Sequence, residues 1–276
     1  MEASNSFYRE NGFVILKNFF PKEQVEDAQS EAKRIFFSQF LEKNYTARVK
    51  LEDLSEDEFN NCLFRLFDED SDTLFNCGKQ IQHLISLHQM SISDEVVLTL
   101  KTYGLTRPII STRPVMYFNH PRLSKQRVYH TVDAHQDWRS MQGSLNSAVI
   151  WAPLMNIDKS LGALEVLPGS HLNGLLTNNL ENGFGMVDLS LVKNKKFVSV
   201  EMDAGDALLF SSFLIHRSGN NVTNKPRWSC HFRYNDLDES TFCERGFPHA
   251  YVYKPVEELI TENFPKKEDL LKIYTR

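Results

Sequence analysis

The chain is poor in the features that mark several large protein classes. It has only four cysteines, Cys62, Cys77, Cys230 and Cys243. None forms a Cys-x-x-Cys pair, so the spacing contains neither a zinc ribbon nor a disulfide framework. Free thiols in a reducing compartment, the cytoplasm, are the expectation. No run approaches 18 apolar residues, so no membrane-spanning helix is expected. The opening MEASNSFYRENGFVILKNFF lacks the basic start of a secretion leader, and Lys17 and Asn18 interrupt its apolar part. Positive charge is also scarce. The 31 Lys and Arg stand against 36 Asp and Glu, a net charge of -5, which argues against broad nucleic-acid or membrane-surface binding. There is no internal repeat and no low-complexity linker. The acidic runs EDLSEDE and DEDSD lack EF-hand spacing and read as solvated helix faces or loops.

What is present is a soluble-type composition rich in one aromatic. The 20 Phe among 276 residues point to an aromatic core and to an aromatic-lined pocket. All-β sandwiches and barrels often reach this length as one domain. GFVILKNFF reads as a short strand. Pro21 then reads as the first residue of a helix with apolar positions at Val25, Ala28, Ala32, Ile35, Phe36, Phe40 and Leu41. A second helical zone spans about 72–90. A third, SDEVVLTLKTYG, lies between a capping Ser93 and a terminating Gly104. After about residue 110 the pattern changes to short strand-like runs separated by turns such as DKSLG, PGSH and DAGD. The expected organisation is one domain over 1–276: helix-rich 1–109, a β-core at about 110–235, and a C-terminal extension 236–276 of weak helical pattern.

The chemistry concentrates in a few places. In HQDWRSMQGS, His135 and Asp137 are two apart, and on an extended segment they share a face. His216 closes the apolar run DALLFSSFLIH at an expected strand end. Two histidines and one carboxylate, with positions left open, form the facial triad of non-haem iron oxygenases. His83 and His88, five apart in a helical zone, are badly spaced for shared ligation. His130 has the wrong parity to join His135, and His171 closes PGSH, where it reads as fixing a turn. In KPRWSCHFRYND, alternation puts Arg227, Ser229, His231 and Arg233 on one face and Trp228, Cys230, Phe232 and Tyr234 on the other. The polar face points either to solvent or into a barrel, where the Arg227 guanidinium would grip an anion.

These stretches, taken in order, resemble the phytanoyl-CoA dioxygenase family of Fe(II)- and 2-oxoglutarate-dependent oxygenases. FYRENGFVILKNFFPKEQV resembles its opening, HQD its ligand pair, LGALEVLPGSH its turn-strand segment. GDALLFSSFLIHRSGNNVTNKPRWS resembles its distal-histidine segment, with Arg227 eleven residues after His216. The resemblance spans roughly residues 7–235. It implies a mixed α and β fold, with N-terminal helices packed on a double-stranded β-helix of the jelly-roll or cupin type. It implies Fe(II) on His135, Asp137 and His216, and 2-oxoglutarate on Arg227, assisted by Ser218. Tyr117, Asn119 and Gln136 are candidates for its near carboxylate, with Arg113 on the same expected strand face. O2 is the second cosubstrate, and ascorbate is a reductant. Trp138, Arg139 and Gln142 are expected near the cavity mouth, Trp138 as a wall above the metal, and Arg139 hints at a polar or anionic substrate.

The reading is therefore a dioxygenase that hydroxylates a small polar metabolite or biosynthetic intermediate, releasing succinate and CO2. Desaturation, ring closure and epimerisation use the same cofactor chemistry. A halogenase of this fold would carry a small residue in place of Asp137. The triad alone also permits a non-redox Zn or Mn cupin-like isomerase or hydrolase, or a non-catalytic jelly-roll binding protein. The expected partner is a small molecule, with no nucleic acid and no membrane. Nothing in the sequence specifies the substrate or the oligomeric state.

Overall fold

Caps punctuate the helical first half. In the computed structural model, which describes residues 2–125, 132–176, 178–179, 186–192 and 196–249, six α-helices lie before β2 (Pro108–Asn119), with one short strand between the first two. They are α1 (Glu2–Asn11), α2 (Lys22–Glu42), α3 (Glu56–Glu69), α4 (Ser71–Ile81), α5 (Ile85–Ser91) and α6 (Asp94–Thr102). Ser93 accepts from the Val96 amide at 3.4 Å, as its position predicts. The acidic runs are helix starts. The Ser55 hydroxyl accepts from the Glu58 amide while the Glu58 carboxylate accepts from the Ser55 amide at 2.8 Å, a reciprocal capping box that opens α3. Asp70 accepts from the Thr73 amide at 3.0 Å and opens α4. The zone at 72–90 is thus two helices. Pro21 stands just before α2, not inside it, and gives no side-chain cap, and α1 is a helix that the pattern did not announce.

The strands are β1 (Phe13–Leu16), β2 (Pro108–Asn119), β3 (Ala148–Pro153), β4 (Leu164–Val166), β5 (Asn178–Asn179), β6 (Met186–Val187), β7 (Val198–Val200), β8 (Ala207–Ser211), β9 (His216–Arg217) and β10 (Arg227–Asp236). One antiparallel sheet runs β1-β8-β3-β10-β2. A second runs β7-β4-β9, and β5 pairs with β6. Alternation along β3 shows how the layers are built. Ala148, Ile150 and Ala152 join the core under the helices, while Val149 and Trp151 join a second core with Leu164, Val166, Leu208 and Phe210 between the sheets. This is a double-stranded β-helix with a helical layer on one side. The phenylalanines gather mainly in the helical layer's core, where Phe36 meets Phe118 edge-on at 5.2 Å and Trp228 at 6.1 Å.

Two local departures matter for the site. The run DALLFSSFLIH is not one strand. β8 ends at Ser211, the chain turns through 212–214, and His216 opens β9 in the other sheet. In β2, pairing with β10 slips between Val115 and Thr112. Arg113 and Pro114 together stand opposite Phe232, a bulge where the missing N–H of Pro114 is tolerated, and a second shift follows between Thr112 and Ile110. Arg113 therefore leaves the expected face. It is exposed and donates to the Gln82 side chain at 2.6 Å. His171 ties the PGSH turn to α1, with its Nε2 3.0 Å from the Arg9 carbonyl and its ring over Gly12. His130 and the helical pattern of 250–276 lie outside the described residues. Among the described residues the four thiols are unpaired, with Cys243 exposed, and no helix is long and apolar enough to cross a membrane.

Candidate active site

His135 and His216 come together through backbone. The His135 amide donates to the His216 carbonyl at 3.0 Å, and the His216 amide returns the bond at 3.2 Å. Their rings lie 4.2 Å apart, centroid to centroid. Each ring is fixed in the same way. Nδ1 lies 2.8 Å from the Asp133 carbonyl in one case and 3.0 Å from the Leu214 carbonyl in the other. A carbonyl only accepts, so Nδ1 carries the proton and the Nε2 lone pair is free to bind a metal. Asp137 arrives by another route. After the isolated bridge at His135 the chain turns helical, and Asp137 (φ -63, ψ -26) precedes α7 (Trp138–Met141). The pair does not share a strand face, yet one Asp137 oxygen stands 3.3 Å from His135 Nε2. The ligand atoms of His135, Asp137 and His216 all lie within 4.8 Å of one another, the one such metal-suited cluster among the described residues.

Burial alone would neutralise Asp137. Arg233 opposes that, with Nε 3.1 Å from one carboxylate oxygen and Nη2 3.5 Å from the other. Burial raises the Asp137 pKa, but Arg233 and the two histidines outweigh it and hold the group well below the usual carboxylate range. His216 is pushed down to about 4, chiefly by burial. The residues therefore fit a divalent ion: two imidazoles, with His216 held neutral, and one ionised carboxylate, the donor set of non-haem iron. Arg233 is the functional residue that sequence reasoning missed. Its alternation with Arg227 put it on the right face, but its partner is 96 residues away.

The polar face of β10 points inward, not to solvent. Arg227, His231 and Arg233 line a cavity of about 240 Å³ with the three metal-type side chains, Tyr117, Asn119, Ser218 and Arg139. Val115, Val132 and Leu164 supply apolar wall. Arg227 is 3% exposed. One of its Nη atoms donates to the Gly162 carbonyl, while its Nε–H has no partner among the described residues. Burial lowers its pKa to about 10, which leaves it cationic at neutral pH. A buried cation with an unspent donor calls for an anion. The Ser218 hydroxyl faces the cavity and accepts from the Val132 amide at 3.3 Å.

Three expectations fail on geometry. The Gln136 side chain borders the cavity, but its NH2 donates to the Gly174 and Phe213 carbonyls at 2.8 and 2.7 Å, and its oxygen accepts from Leu176. It is a structural clamp with both N–H bonds spent. Trp138 does not wall the cavity. Its ring stacks on Phe213 at 5.3 Å and its Nε1 donates to the Ser144 carbonyl, because the helical turn after Gln136 rotates it away. Gln142 is exposed, at a left-handed φ of 47°, and donates to the Arg139 carbonyl. Nor is the pocket lined by phenylalanine. Tyr117, set edge-on to His231 at 4.9 Å, is its one non-histidine aromatic among the described residues.

A family model described as phytanoyl-CoA dioxygenase matches residues 8–229. The human protein named "Phytanoyl-CoA dioxygenase, peroxisomal" is 25% identical over 241 residues, 83% of this chain and 67% of that protein. A methylphosphonate hydroxylase of Gimesia maris is 32% identical over 114 residues, covering 41% of this chain and 43% of its own. Among solved structures, the epimerase SnoN in complex with Fe3+, alpha-ketoglutarate and nogalamycin RO aligns with a TM-score of 0.57 at 15% identity, over 85% of this chain and 83% of that one. Apo EctD from S. alaskensis aligns with a TM-score of 0.55 at 16% identity, over 87% and 78%. At such identities the likeness is one of fold.

Proposed function

The chain belongs to the phytanoyl-CoA dioxygenase family of 2-oxoglutarate-dependent oxygenases, and from that premise we propose that it hydroxylates a small polar metabolite. The observation that carries this reading is one cavity holding both halves of the chemistry: the His135, Asp137 and His216 cluster, and the buried Arg227 with its unspent N–H. Bound iron supplies dioxygen activation, coupled to decarboxylation of 2-oxoglutarate to succinate and CO2. The protein supplies the rest. His135 and His216 present Nε2 while the carbonyls of Asp133 and Leu214 hold their rings. Asp137 brings a negative charge that Arg233 keeps ionised and aimed. In this reading Arg227 takes the far carboxylate of the cosubstrate with help from the Ser218 hydroxyl, and Tyr117 and Asn119 serve the near carboxylate; all four line the one cavity. Val115, Val132 and Leu164 keep water from that wall. Arg139, on the same cavity, belongs to the substrate side.

We take residues 1–276 as one catalytic domain, because a single aromatic core joins the helices to the main sheet. We place the chain in the cytoplasm on the strength of its free thiols, although the human relative is named peroxisomal. The test is anaerobic titration of the protein with Fe(II) and 2-oxoglutarate. The expected result is a weak metal-to-ligand charge-transfer band in the visible that requires both. Folded protein that binds Zn(II) or Mn(II) but gives no such band would favour a non-redox metalloenzyme.

A further inference from the structure

Charge in the cavity does not balance once iron and its cosubstrate are counted. Among the described residues, the lining carries three arginines, Arg139, Arg227 and Arg233, against one carboxylate, Asp137. The histidines on the metal are neutral as ligands. An iron(II) ion and a 2-oxoglutarate dianion cancel each other. What remains among the described residues is an excess of two positive charges in one cavity, where unpaired charge is expensive.

The three guanidiniums are not equivalent. Arg233 is committed to Asp137 at 3.1 Å. Arg227, at the buried end of β10, is the cosubstrate's partner under the reading above. Arg139 is left. It has no ion-pair partner among the described residues. Its Nε is buried and without a hydrogen-bond partner among them, and its one recorded bond runs from Nη2 to the Leu176 carbonyl. That bond matters, because it immobilises the side chain. Gln136 fastens the same loop from the other side, donating to Gly174 and accepting from Leu176 at 2.8 and 2.9 Å. The Arg139 side chain, which lines the cavity, is thus held before any ligand arrives, which lowers the entropic cost of binding there. A cation that served only solubility would extend into water on a free side chain.

Resting on the oxygenase reading, we propose that the substrate carries an anionic group, a carboxylate or a phosphorus or sulfur oxyanion, and that Arg139 is the residue that binds it. The planar fork suits such oxyanions. The cavity volume of about 240 Å³ lies below the roughly 300–1,000 Å³ of sites for drug-sized ligands, and the cosubstrate must share it. The reacting carbon therefore sits within a few bonds of the anionic group, whether the molecule is a small free acid or the acidic end of a longer conjugate.

The experiment uses the full chain loaded anaerobically with Fe(II) and saturating 2-oxoglutarate. Butanoate and inorganic phosphate are titrated against the neutral butanamide, and the charge-transfer band is followed. Both anions should perturb the band saturably, with butanamide at least about tenfold weaker. Arg139→Gln should weaken the anions about tenfold, one charge-assisted contact, and Arg139→Lys should recover part of the loss. The 2-oxoglutarate affinity should be the same in all three proteins. Equal effects of butanoate and butanamide, no effect of either anion, or anion binding unchanged in Arg139→Gln would each overturn the assignment. So would weakened 2-oxoglutarate binding in that variant, since Arg139 would then serve the cosubstrate. Absence of any band before the probes are added would instead count against the oxygenase reading. A longer conjugate is told from a free acid by whether methyl phosphate and a phosphorylated pantetheine perturb the band alike.

Discussion

The two faces of β10 belong to the same ten residues and have opposite characters. The face toward the helices holds Trp228, Cys230, Phe232 and Tyr234, packed on Phe36, Phe59 and Phe118. Its one buried hydroxyl is satisfied, with Tyr234 donating to the Ser91 carbonyl at 2.7 Å. The face toward the cavity holds Arg227, Ser229, His231 and Arg233. There the Arg227 Nε, the Ser229 hydroxyl and the His231 Nδ1 are buried with no partner among the described residues. One face has its buried polar group paired, and the other keeps donors and acceptors in hand. Stability and function are thus separated by the thickness of a single strand.

The strongest way to break the functional face is at its carboxylate. Asp137→Ala should abolish succinate formation, measured in single turnover. It should also lower the urea midpoint, because the ion pair between Asp137 and Arg233 is lost. Wild-type turnover by the folded variant would show that Asp137 is not a ligand. Trp228→Ala tests the other face. A large buried aromatic lost to a cavity costs about 3–5 kcal/mol, and 2-oxoglutarate affinity of the folded protein should stay within about twofold. If affinity falls in step with stability, the faces are not separable. Arg227→Lys keeps the charge but loses the fork. We expect 2-oxoglutarate to bind about ten- to a hundredfold more weakly, roughly 1.5–3 kcal/mol for a charged hydrogen bond, by calorimetry. Metal affinity should hardly change.

The smallest effect lies at the strand's end. Asp236 accepts from the Thr106 and Arg107 amides at 2.8 Å each and from Asn146. Burial opposes its charge, but these donors outweigh that and depress its pKa below the usual 3.8. A depressed carboxylate stabilises above its unfolded pKa, and the contribution is lost as pH falls through the folded value. The urea midpoint of the wild type should therefore exceed that of Asp236→Asn at pH 6 and approach it below pH 3.8. A difference independent of pH would assign the effect to packing.

The same contrast explains what was legible in advance. The apolar face of β10 and the cap at Ser93 are local patterns, and residues within one turn or one alternation determine them. The HxD pair, the distal His216 and the inward Arg227 were found through order and spacing. What escaped depended on other strands. Trp138 was placed at the cavity by its closeness in sequence to the ligands, and the turn that Asp137 begins sends it to Phe213 instead. Arg113 was lost to a bulge at Pro114 that only pairing with β10 reveals. Gln136 looked like a ligand because nothing in the sequence brings Gly174 and Phe213 to it. Arg233 could be put on the right face but not given a partner.

The reciprocal bonds between His135 and His216 make two of the three ligands a single mechanical joint. The backbone, not the side chains, therefore sets how far apart the two histidine Cα atoms stand, and each bond of the pair stiffens the other. A change that displaces β9 would carry His135 with it as well as His216, because the two segments share this bridge.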